Sequence, residues 1–138
     1  MNFHPLETFA QMTHWRQTAL EVFPEFHSVI EEAGSPMELW IELGVRFQSA
    51  FREGQDDLVR RFFHYAGWCL DTATKQATGV STAAWCAFYE EIPMVPGLTE
   101  QLHRFMPRDR FLQIQDAFRY HISESEFMRI REKFLSGT

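Results

Sequence analysis

A chain of 138 residues, 45% of them hydrophobic, has the size of one domain that buries a core without help from metals or disulfides, and one unit over 1–138 is expected. The formal net charge of −6 is lopsided, because residues 1–57 carry ten acidic against three basic side chains and the remainder nine against ten. That balance argues against nucleic acid, whose phosphates need clustered positive charge, and no stretch approaches the ~20 apolar residues of a membrane span.

At the front, Leu6, Phe9 and Ala10 predict one short helix, and Trp15, Ala19 and Val22 a second. Pro24 breaks that segment, and Phe26, Val29, Ile30 and Ala33 predict another helix up to Gly34. Ser35-Pro36-Met37-Glu38 is a strong helix start: Ser35 caps, Pro36 suits the first turn, and Glu38 completes a capping box. Behind it Trp40, Leu43, Gly44, Phe47, Ala50 and Phe51 recur at helical spacing, and Gly54 closes the helix. Asp56 or Asp57 opens the next, with Leu58, Phe62, Tyr65, Cys69 and Ala73 in one row and Val59, Phe63, Ala66 and Leu70 beside it. A stripe that wide implies packing on more than one side.

Gly79 and Ser81 separate this helix from another that carries Val80, Ala84, Ala87, Phe88 and Ile92 and stops at Pro93. After the loop Met94-Val95-Pro96-Gly97, a short helix is expected over about Thr99–Phe105. Pro107 opens one with Phe111, Ile114, Gln115 and Phe118. A second capping box, Ser123-Glu124-Ser125-Glu126, precedes the stripe Phe127, Ile130, Phe134 and Leu135. No alternating strand is credible, and Val and Ile, six of each, are scarce beside 14 Phe. The expectation is all-α, an irregular antiparallel bundle of about eight helices, with 55–93 as an α-solenoid-like pair in the alternative.

Chemical motifs are missing. The six histidines (His4, His14, His27, His64, His103 and His121) offer no pair at metal-ligand spacing, so no metal and no cofactor are expected. Cys69 and Cys86 form no C-x-x-C and have no cationic neighbour to activate them, which points to reduced thiols. There is no G-x-S-x-G, no phosphate-binding glycine loop and no dinucleotide fingerprint. His64, between Phe63 and Tyr65, is expected to be buried and hydrogen-bonded to a carbonyl. Glu90 and Glu91 point about 100° apart on a helix and cannot act as a dyad. Glu91 is expected to be partly buried with Arg60, Arg61, Arg104 or Arg119 as its ion-pair partner. Arginine outnumbers lysine eleven to two, which suits forked ion pairs and contact surfaces.

Phe63-His64-Tyr65-Ala66-Gly67-Trp68-Cys69-Leu70, followed by Ala87-Phe88-Tyr89-Glu90-Glu91-Ile92-Pro93, resembles a pattern in small helical bacterial proteins of uncharacterised families. There an aromatic helix is followed by an F-x-E-x-[LI]-P-like helix end, and some members are similar to immunity proteins, which bind secreted toxins. The resemblance spans about 30 residues and implies partner binding without carrying over a catalytic residue. The function expected is therefore non-enzymatic: an immunity-type module docking an acidic helical surface onto a basic protein such as a toxin. Its contact set is Glu31, Glu32, Glu38, Glu42, Asp56 and Asp57, with Trp40 or Trp15 as the aromatic anchor. The alternatives are a scaffold subunit of a helical homo-oligomer and, third, an enzyme that uses His64 with Glu90 or Glu91. The start, Met1-Asn2-Phe3-His4-Pro5, has neither basic nor apolar signal-peptide character, and a cytoplasmic location is expected.

Overall fold

The two capping boxes mark real helix starts, each with one half of the box changed. In the computed structural model, which describes residues 5–72 and 79–137 (side chains from residue 14 onward), α3 runs Pro36–Arg52. Ser35 Oγ accepts from Glu38 N at 3.1 Å, whereas the Glu38 carboxylate accepts from Gly34 N at 2.7 Å rather than from the serine. Its oxygen lies 2.9 Å from where a Cβ on residue 34 would sit, so the glycine makes room for the cap. The last helix, α7 (Glu124–Gly137), starts the same way: Ser123 Oγ accepts from Glu126 N at 3.1 Å, and the Glu126 side chain turns to Arg129.

Before these, α1 (Pro5–Val22) is one continuous helix rather than two short ones. Between Pro5 and Pro24 the chain holds no glycine or proline, so nothing interrupts the hydrogen-bond ladder. The Leu6, Phe9 and Ala10 side chains lie outside the described ones. A turn at Pro24–Phe26 leads into α2 (His27–Glu32). Next comes α4 (Asp56–Asp71), entered through Gly54 at φ 73°, which no side chain blocks. The Ala73 end of its predicted row falls outside the described residues.

Gly79 (φ 94°) starts α5 (Val80–Ala84), which widens into a π turn over Trp85–Tyr89. There Glu90 N donates to Trp85 O at 2.9 Å, one residue longer than an α-helical bond. The extra residue shifts the register, so Phe88 and Tyr89 both turn inward while Cys86 and Ala87 stay partly exposed. Tight 3-10 turns at Ile92–Met94 and Thr99–Arg104 lead to α6 (Arg108–Ile114), and a 3-10 turn over Gln115–Tyr120 precedes α7. The architecture is all-α, and no strand occurs among the described residues. No described helix is long and apolar enough to cross a membrane.

The core is aromatic. α3, α4 and α5 pack against one another, and Trp40, Phe47, Phe62, Phe63, Tyr65 and Phe88 interleave at centroid separations of 4.9–5.8 Å. Edge-to-face and offset contacts of this kind add to the burial of large rings. A second layer under α7 stacks Phe111 on Phe134 at 4.1 Å. Arginines fasten the outside: Arg16 donates to Ile30 O and Ala33 O, and Arg61 donates to Val22 O and forks onto Glu25.

Candidate docking surface

The outer face of α3 carries an apolar ridge that the sequence analysis did not single out. Met37, Ile41 and Val45 succeed one another at four-residue spacing, and Ile41 and Val45 are 59% and 66% exposed. The inner stripe of α3 is wide enough to fill the core, and this second row is left exposed among the described residues. The signal was present as a repeat at i, i+4 and i+8, flanked by Glu38 and Glu42. It was hidden because the helix is apolar on both sides and the inner face accounts for its periodicity.

Ile41 divides two clefts. One, of about 250 Å³, lies between α3 and the π turn and is walled by Ile41, Gly44, Val45, Cys86, Ala87 and Glu91, among others. The π turn makes this cleft, because its changed register holds the small Ala87 and Cys86 side chains opposite Gly44. The other, of about 560 Å³, lies between α2 and α3 and is walled by Val29, Glu32, Ala33, Glu38, Ile41, Glu42 and Arg46. Three carboxylates against one guanidinium make it acidic, and Arg46 already bonds Glu42 at 3.3 Å. Met94, 56% exposed, adds apolar surface just beyond the π turn.

The acidic contact set divides. Glu32, Glu38 and Glu42 line one cleft, and Glu31, beside Glu32, approaches His27 at 3.8 Å. Asp56 and Asp57 lie at the start of α4 in a different hollow, with Glu25 and Arg61. Asp56 pairs with Arg104, and Asp57 stands 3.9 Å from Arg60. Trp40 is not at the surface: it is fully buried, stacked on Tyr65 and tilted against Phe88, so its ring forms core and cannot anchor a partner. Trp15 is 7% exposed and belongs to the same core. The reason is positional, since both indoles occur on the faces that α3 and α1 turn inward.

Three expectations about chemistry change as well. His64 is exposed on α4 rather than buried against a carbonyl. Glu91 is half-buried, but its partner is His121 Nε2 at 2.6 Å rather than an arginine, because the 3-10 turn before α7 brings position 121 to the π turn. His64 and Glu91 line separate clefts. Cys69 is buried, and loss of solvation pushes its thiol up to about 12. Cys86 is half-buried, and desolvation and then the neighbouring Glu90 charge raise its pKa. No cluster of three or more metal-ligating side chains occurs among the described residues.

Comparison with protein-family models, curated proteins and solved structures returns no match to this chain.

Proposed function

We propose that the chain is a non-enzymatic protein-binding module that docks a basic, amphipathic helix of its partner along α3. The observation that carries this reading is the exposed Met37–Ile41–Val45 ridge, set between an apolar cleft and a cleft walled by Glu32, Glu38 and Glu42. An apolar helix face laid on the ridge would place its lysines and arginines over those carboxylates. The apolar contact supplies affinity, and the acidic rim supplies encounter rate and partner choice. An immunity-type protein that covers a toxin's basic helix fits this description, and the ridge takes over the anchoring assigned to Trp40.

The test is a titration with a synthetic amphipathic helix of leucine and lysine, followed by backbone amide shifts. Shifts should concentrate in 37–48 and 86–95, and Ile41→Asp or Val45→Asp should weaken binding at least about tenfold, or 1.4 kcal/mol, as expected for an anchor. Both sites are exposed, so these variants should fold as the parent does. Shifts spread over the whole surface, or affinity indifferent to both variants, would remove the ridge from the reading. A concentration-dependent dimer broken by Ile41→Asp would favour the scaffold alternative instead.

A further inference from the structure

A third cleft, of about 490 Å³, opens between α4 and residues 104–110 and shares no lining residue with either α3 cleft. Its wall carries Arg60, Arg104, Arg110 and His64 against a single carboxylate, Asp71, while Phe63, Trp68, Tyr89 and Phe105 supply aromatic surface. The other two acids that pair with these arginines, Asp56 and Asp57, are absent from the lining and belong to the neighbouring hollow. With histidine neutral, the lining therefore has a charge of +2 in a molecule whose net charge is −6.

The arginines are not equivalent. Arg110 is committed: it bonds both Asp71 oxygens, at 3.0 and 2.7 Å, and Gln113 at 2.7 Å. Its guanidinium lies over Gly67, 3.3 Å from where a Cβ would sit, so the glycine at this point of α4 leaves room for it. Arg104 engages Asp56 and Gln101 through its two terminal nitrogens. Arg60 makes no hydrogen bond among the described residues, and its nearest carboxylate, the fully exposed Asp57, is 3.9 Å away. Yet Arg60 and Arg104 are held against the same ring, Phe105, at 5.6 and 5.0 Å from its centroid. Asp56 already balances Arg104 on that ring, whereas Arg60 still has its whole donor fork to offer.

We propose that this cleft binds a small aromatic phosphate of nucleoside-monophosphate type. The phosphate takes Arg60 and the free edge of Arg104, and the flat ring lies against Trp68. A phosphate monoester carries about −1.5 to −2 charge and three acceptor oxygens, which matches the lining. Both the volume and the mixture of aromatic wall with a few polar groups suit a small ligand. The site is independent of the α3 docking surface and stands whether or not that reading does.

The experiment is amide, indole and arginine-side-chain NMR on the whole protein, titrated separately with adenosine monophosphate, adenosine and inorganic phosphate. Saturable shifts are expected at 60–71 and 104–110, including the Trp68 indole, with the monophosphate binding at least about tenfold more tightly than either fragment. Arg60→Gln should weaken the monophosphate about tenfold with the fold unchanged by circular dichroism, since Arg60 has no internal hydrogen bond to lose. Arg108→Gln, exposed on the same segment but outside the lining, should leave affinity unchanged. Inorganic phosphate binding as tightly as the monophosphate, equal losses from Arg60→Gln and Arg108→Gln, or no saturable shift in this cleft would each overturn the proposal.

Discussion

Tyr65 is the residue through which α4 holds α1. Its hydroxyl donates to Trp15 O at 2.9 Å across 50 residues of sequence, inside a core that excludes water. Burial raises the phenol's pKa far above the ordinary range, so it stays a neutral donor at every working pH. Tyr65→Phe keeps the ring and its stacking on Trp40 and leaves the Trp15 carbonyl with its helical partner alone. The expected loss is about 0.5–1.5 kcal/mol by urea denaturation, the net worth of one hydrogen bond. The same desolvation protects Cys69, whose thiol at about 12 is almost wholly protonated at neutral pH. An aromatic disulfide reagent at pH 7.5 should therefore modify Cys86 alone and slowly in the folded chain, and both thiols once urea is added. Equal native rates for the two would show that Cys69 samples open states that its buried position does not predict.

At the scale of elements, α3 joins two demands that pull in different directions, core filling on one side and an exposed ridge on the other. Gly44 lies between them, facing the cleft, and a Cβ built there would come no closer than 4.0 Å to Ala87 O. That is ordinary van der Waals contact, so Gly44→Ala should raise stability by about 0.5–1 kcal/mol through helix propensity. It should also narrow the cleft beside Ile41 and reduce peptide affinity, which thermal unfolding and the leucine–lysine titration would read in one variant. Stability and binding moving in opposite directions would identify the glycine as kept for the cleft. A fall in both would mean that α3 and the π turn are packed more closely than 4.0 Å allows. The helices themselves were legible in the sequence where caps and stripes coincide: Ser35 and Ser123 start helices, and Gly54 and Gly79 bound α4 and α5, but the helix expected to run to Pro93 ends at Tyr89 and Pro93 falls inside the turn Ile92–Met94. The π turn was not legible, because an inserted register step leaves no composition mark in Trp85–Tyr89. With it went the cleft and the Glu91–His121 pair, both of which depend on that step. Trp40 shows a different limit: an aromatic on an amphipathic helix carries the same one-letter signal whether it anchors a partner or a core.

Over the whole molecule, α4 is the element to which the others are fastened by charge. Glu25 before α2 reaches Arg61 at 2.6 Å, Asp71 reaches Arg110 on α6 at 2.7 Å, and Asp56 pairs with Arg104. Two of the eleven arginines, Arg61 and Arg110, fork onto carboxylates of distant segments, and the acidic excess of residues 1–57 is partly cancelled by arginines beyond them. The hydrogen bonds from Arg61 and Arg110 hold the Glu25 and Asp71 carboxyls below their usual values. A carboxyl whose folded pKa is lowered favours the fold wherever it is ionised in both states, so its contribution is complete above the unfolded value. It is lost as the pH falls through the folded one. Partly exposed pairs are screened, and Glu25 with Arg61 is worth about 0.5–1 kcal/mol in low salt. Glu25→Gln should therefore be less stable than the parent by that amount at pH 7, and the gap should close as the pH falls through the parent's lowered folded value. Urea midpoints measured from pH 7 to pH 3 in both proteins would follow the convergence. Parallel curves would show that the loss comes from packing at the Pro24–Phe26 turn, and that charge does not fasten this turn to α4.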